Sequence, residues 1–226
     1  MFMKFFIFFI LFSSFSFPCL CDYPGSWWRV VPRDLAAKWE VLPQDAQAGE
    51  VVLSKRTELG VFSNLALTPF IFEGETYASI EAFWQMMKFP EADNEEDIRN
   101  GLPYLMERDN VKKLYGFKAK NAGDSANKIM RQYDINFISY KGKFFDYKDY
   151  NSGSDYHYDL IYSATLEKIK QNPKIEKLLL KTWGLKLIPD HRQKASPASY
   201  YYHEILMEIR SSIFEHIRLE SQLFHQ

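Results

Sequence analysis

The chain has 226 residues, 46% of them hydrophobic and 17% aromatic, with 28 basic and 29 acidic side chains. That composition excludes a disordered chain, and the near-zero net charge lacks the basic excess with which proteins grip duplex nucleic acid. The five histidines, at 157, 191, 203, 216 and 225, show no metal-ligand spacing, so neither a structural nor a catalytic metal is expected.

The N-terminus carries a single early Lys4 and then the apolar run from Phe5 to Phe17. This is the layout of a secretory signal peptide. The run is too short and too serine-broken for a membrane span, which needs about 20 apolar residues. Cys19 and Cys21 place small residues at −3 and −1 of a cleavage point, so residues 1–21 are expected to be removed and the mature chain to begin at Asp22. The chain would then be exported, to a periplasm or the exterior, with no stable membrane insertion. An uncleaved anchor or a misassigned start is the other reading of this run. Cleavage removes Lys4 and both cysteines, leaving 27 basic residues against 29 acidic and neither disulfide nor thiolate. About 205 residues remain, enough for one domain with a large core.

Residues 22–50 alternate Trp, Pro and charge and are expected to form an irregular arm with one short helix, its Trp27-Trp28 packing onto a domain of residues 51–226. "PFIFEGETY" (69–77) is a hairpin pattern around Glu73-Gly74, and "FISYKGKFFDY" (137–147) is another around Lys141-Gly142. Ser79 is a candidate N-cap for a helix running to about Phe89. Further helices are expected in 95–118, 124–134, 158–171 and 174–183, with Asn172-Pro173 separating the last two. Leu206, Ile209, Ile213 and Ile217 recur at helical spacing near the C-terminus and predict an amphipathic helix on the core. The pattern is that of a single α+β domain, mostly helical, with two short hairpins.

The stretch "SIEAFWQMMKF" (79–89) carries the candidate chemistry. Ile80, Phe83, Trp84 and Met87 form one apolar stripe, and Glu81, Gln85 and Lys88 line a second one beside it. One reading is a solvated helix face, with Glu81 and Lys88 placed to suit the helix dipole. Ala82, Met86 and Phe89 leave little of the helix suited to water, however, and a helix apolar nearly all round is buried. On a buried helix the carboxylate must be paired, hydrogen-bonded or functional.

Residues 60–89, "GVFSNLALTPFIFEGETYASIEAFWQMMKF", resemble the signature of the NADAR family, also called YbiA-like. Phe62, Ser63 and Asn64 match its Phe-Ser-Asn-Phe element, with Leu65 at the last aromatic. Glu73-Gly74 matches its turn, and Ser79, Glu81, Trp84, Gln85, Lys88 and Phe89 match its helix. "QNPKIEKLLLKTWGLKLIPDH" and "HEILMEIR" are similar to its second half, so the resemblance spans about Val61 to Arg210. One departure stands out. Many members carry a Trp-Gly, Gly-rich stretch where this chain has "RQKASPASYYYHEI" (192–205), which puts the pocket's shape and the activity in question.

The resemblance implies a compact domain of that type and an N-glycosidase that cleaves a ribose C1′–N bond. The substrate would be an ADP-ribosyl or phosphoribosyl nucleotide, including ADP-ribosylated guanine in nucleic acid, and no cofactor is implied. Positive charge builds on the sugar as that bond breaks, so Glu81 takes the role of the stabilising carboxylate. Lys88 is a phosphate-binding point charge or an imine-forming amine. His191 is a candidate general acid. Ser63, Asn64, Trp84, Gln85 and Asp190 are candidate substrate contacts. Asp190-His191 capping a turn is an equal alternative, and Tyr200 to Tyr202 read as helix-entry packing more than as a stacking platform. A rival reading from another class is a secreted module that binds an ADP-ribose-like nucleotide, or a protein, without turnover.

Overall fold

The computed structural model describes residues 23–146 and 155–223. The expectations for the leader, for cleavage before Asp22 and for Tyr147 lie outside those residues. The elements run β1 (Glu50–Val52), β2 (Phe70–Phe72), β3 (Glu75–Tyr77), α1 (Ile80–Met86), α2 (Arg108–Val111), α3 (Gly116–Gln132), β4 (Ile138–Tyr140) and β5 (Lys143–Phe145). They continue with α4 (Asp155–Lys170), α5 (Pro173–Lys181), β6 (Lys186–Ile188) and α6 (Tyr202–Leu223). The fold is α+β, with long helices and only short strands.

Both expected hairpins form, β2 with β3 and β4 with β5. Their turns, Glu73-Gly74 and Lys141-Gly142, carry consecutive positive φ angles of 49° and 89° and of 49° and 76°. That is the turn whose twist matches antiparallel strands, and glycine takes its second position without a Cβ clash. A third pairing joins β1 to β6 in parallel, with Val51 opposite Leu187. β1 has only three residues and is too short to stand out as a strand in the sequence.

The helices differ from expectation in three places. Residues 95–107 are turns, not helix, because buried Asp97 accepts from the backbone N–H of Glu91 and of Arg99 and so organises a loop. α3 begins at Gly116 instead of 124. Its inner face is Ala119, Ala122, Gly123 and Ala126, too small to read as an apolar stripe. α1 ends at Met86 instead of Phe89, and its last residues tighten into i→i−3 bonds from Lys88 to Gln85 and from Phe89 to Met86. α6 packs through Ile205, Leu206 and Ile209, but Ile217 is exposed, so its apolar stripe outlives its contacts.

α1 is the element around which the others gather, in contact with α2, α3, α4 and β3. Phe83 meets Phe72, Tyr77 and Tyr140 edge-on at 4.9–5.5 Å, which closes both hairpins over it. Trp27 is fully buried and donates to Glu58 Oε1 at 2.7 Å, while Trp28 donates to Glu50 O at 2.8 Å. Among the described residues, no helix is long and apolar enough to cross a membrane.

Candidate active site

The site is built on α1, which is held at both ends. Ser79 caps the first turn: its Oγ accepts from Ala82 N at 3.0 Å and its hydroxyl donates to Leu114 O at 3.0 Å. Glu81 N donates to Asn64 O at 2.9 Å, so the Ser63–Asn64 corner rests against the same turn. At the other end two arginines satisfy the last carbonyls. Arg99 donates to Met87 O at 2.9 Å while held by both oxygens of Asp97, and Arg108 donates to Phe89 O at 2.8 Å and Met86 O at 3.2 Å. Positive charge there also suits the helix dipole.

The polar stripe is buried. Glu81 is 7% exposed, Gln85 5% and Lys88 4%, which overturns the solvated-face reading. Gln85 Nε2 donates to Glu81 Oε1 at 2.7 Å. Burial pushes the Glu81 carboxyl above the usual carboxylate range, against the opposing pull of the Gln85 hydrogen bond and the Lys88 charge. The Lys88 ammonium lies 5.5 Å from the centre of the Trp84 ring. Two buried polar atoms here have no hydrogen-bond partner among the described residues: Gln85 Oε1 and Trp84 Nε1. Such orphans are uncommon in a folded interior and call for an explanation.

Two walls flank this stripe. On the Gln85 side is α3. A Cβ added at Gly123 would lie 1.6 Å from Gln85 Oε1, so the glycine is what admits the amide. The charges of Lys120 and Asp124, paired at 2.8 Å on α3, reach Glu81. On the Trp84 side stand Tyr200, edge-on at 4.5 Å, and His157 of α4 at 6.0 Å. His157 Nδ1 shares a 3.0 Å hydrogen bond with Ser199 Oγ. Burial, with a smaller push from Lys88, lowers the His157 pKa to about 4, so the ring is neutral at pH 7.

Of the residues singled out in the sequence, α1 and the turn after it bring together Glu81, Trp84, Gln85 and Lys88, and Asn64 joins them through its backbone. Ser63 precedes it, with its Oγ accepting from Leu65 N at 3.2 Å. Asp190 and His191 belong to a different neighbourhood. Their side chains bond each other at 3.0 Å, the His191 ring stacks on Tyr202 at 6.2 Å, and its backbone bridges Glu40. None of these contacts is to Glu81, Gln85 or Lys88. A cleft of about 770 Å³ opens between the hairpins and α2, lined by Glu75, Tyr77, Glu91, Arg108 and Tyr140. Met86 is the part of α1 that reaches it, from the face turned away from Glu81. Among the described residues, no cluster of three or more potential ligands could hold a metal ion.

His157 and Gly123 were missed in the sequence. A signal for the first was present: His157, Leu160, Ile161, Ala164, Thr165, Lys168 and Ile169 recur at helical spacing, which puts a histidine and a lysine on a buried stripe. Gly123 had no such signal, because its role depends on where α1 crosses α3.

No family model matches the chain, and no curated protein matches it. Among solved structures, an NMR structure of the E. coli protein YbiA is similar over 72% of this chain and 83% of that one, at 18% identity and a TM-score of 0.42.

Proposed function

We propose that the protein is an N-glycosyl hydrolase that cleaves the C1′–N bond of an ADP-ribosyl or phosphoribosyl nucleotide without a metal. One observation supports this above the others. A buried acid, a buried amine and two orphan polar atoms lie within two turns of one short helix. A buried acid and a buried amine gathered on so short a segment are more typical of a functional site than of packing.

The residues divide the work as follows. Bond cleavage leaves positive charge on C1′ and the ring oxygen, and the Glu81 carboxylate, out of water, stabilises it strongly. Burial raises its pKa, which makes it a stronger base toward the attacking water. Hydroxide adds to C1′, and the base leaves with the shared electron pair and takes up a proton. Gln85 orients the Glu81 carboxyl through its amide N–H, Trp84 Nε1 donates to a sugar or phosphate oxygen, and Asn64 contacts the ribose or base edge. Lys88 holds phosphate as a point charge, or forms an imine with the opened sugar. Export through the N-terminal leader would favour ADP-ribosyl substrates over biosynthetic intermediates, which an exported enzyme would rarely meet.

The test is chromatographic release of base from ADP-ribosylated guanosine, free and in DNA, and from a phosphoribosylamino-pyrimidine. Release undiminished by chelator is expected, with the ADP-ribosyl substrate turned over faster. Borohydride during turnover distinguishes the two roles of Lys88, since only an imine is trapped as a covalent adduct. ADP-ribose binding with no release would favour the binding-module reading instead.

A further inference from the structure

Lys168 stands on the buried stripe of α4, 1% exposed. Its Nζ donates to Val61 O at 3.1 Å and to Ser63 O at 3.3 Å, and it makes no ion pair with a carboxylate among the described residues. Burial alone lowers its pKa to about 7. A methionine or leucine here would bury no charge, so a lone amine is the unfavourable choice for packing. What it gains is two backbone carbonyls at the corner where the 3-10 turn Glu58–Phe62 gives way to Ser63 and Asn64.

The grip extends one turn further. Gln171 takes both sides of Ile71, accepting from its N–H and donating to its carbonyl, each at 2.7 Å. Asn172 donates to Pro69 O at 3.3 Å. Residues 168, 171 and 172 share one edge at the end of α4 and its following turn, and together they hold residues 61–71 by the backbone. Between those anchors the chain also touches the other two helices of the site: Asn64 O accepts from Glu81 N, and Leu65 O accepts from Gly116 N at 2.8 Å.

We propose that Lys168 is a positioning residue: its buried amine fixes the Val61–Asn64 corner, so that Ser63 and Asn64 meet the substrate at a set distance from Glu81. The proposal rests on the N-glycosidase reading for its substrate, but the clamp itself is measurable without turnover. α1 has its own anchors in Ser79, Arg99 and Arg108. Loosening the corner therefore weakens substrate binding and leaves the chemical step largely intact.

Lys168→Met keeps an unbranched side chain, one atom shorter, and removes its N–H donors. The expected result is a KM about tenfold higher with kcat within threefold. Amide hydrogen exchange should rise at least tenfold in peptides covering residues 59–67 and stay unchanged in α6. A purely structural role would instead lower the folded fraction and kcat together at constant KM, and that result would overturn the proposal. If Lys168→Met does not fold, Gln171→Ala relaxes the exposed end of the same clamp, and it should raise KM about threefold. An unchanged KM there would equally overturn it. Should wild type release no base, ADP-ribose affinity replaces KM. Exchange that rises in residues 59–67 would then keep the clamp and discard the reaction, whereas unchanged exchange discards the clamp whatever the reaction.

Discussion

Two polar groups that look alike in the sequence turn out differently: Glu81-Gln85-Lys88 along α1 and the turn after it, and Asp190-His191 after β6. Each follows an apolar stretch and each offers an acid beside a base. On α1 the groups are buried, the acid's pKa is displaced upward, and neighbouring polar atoms lack partners. At 190–191 the histidine side chain is 42% exposed, and its partners are local: the adjacent Asp190, the Tyr202 ring and the Glu40 backbone. Polar groups bonded to one another at a surface corner fasten the chain, whereas a buried acid and amine on one short segment suit something that arrives later.

The comparison can be sharpened or broken, starting with the largest effect. His157 is neutral in the folded protein down to about pH 4, while in the unfolded chain it takes a proton below about 6.5. Its contribution to stability is therefore present above 6.5 and lost as pH falls from 6.5 to 4, in total about 3 kcal/mol. Glu81 acts in the opposite sense: with its pKa raised in the folded state, uptake of its proton on acidification favours folding. Chemical denaturation of wild type and His157→Asn across this range should show a much flatter profile for the variant, and parallel profiles would mean that the Trp84 wall is not dry.

A smaller effect comes from Gly123→Ala. Its Cβ would occupy the place of the Gln85 amide, the movable end of a side chain, so the fold should survive and the Gln85–Glu81 bond should not. Loss of that orientation is expected to lower kcat/KM about tenfold, or about 1.4 kcal/mol, with melting temperature nearly constant. Wild-type kinetics would remove Gln85 from the site. Smallest of all, His191→Ala should change kcat/KM by less than about twofold, in keeping with a surface turn. A large fall in kcat would place His191 back among the catalytic groups.

How much of this was legible beforehand follows from length scales. The hairpins could be read because two adjacent residues dictate each turn, and Asn172-Pro173 could be read because Pro173 starts a helix readily but cannot continue one. The buried character of α1 was visible in residues 79–89 alone. The extent of α3 was not, since its contact face is made of Ala and Gly, which periodicity weighs lightly. Nor was the β1–β6 pair, whose first strand ends at Val52 and whose second begins only at Lys186, so that each gains meaning only from the other. The site divides in the same way. Spacing within one helix gave Glu81, Gln85 and Lys88, whereas His157, Gly123 and Lys168 enter only through tertiary approach.

The most direct measurement of the central claim is kcat and KM for Glu81→Gln on the best ADP-ribosyl substrate. The amide keeps the size of the side chain and an acceptor for Gln85, and removes only the charge. If Glu81 stabilises the cationic transition state, kcat should fall about a hundredfold to a thousandfold with KM within about threefold. Retained wild-type kcat would contradict the account, and would leave Glu81 as a buried structural acid.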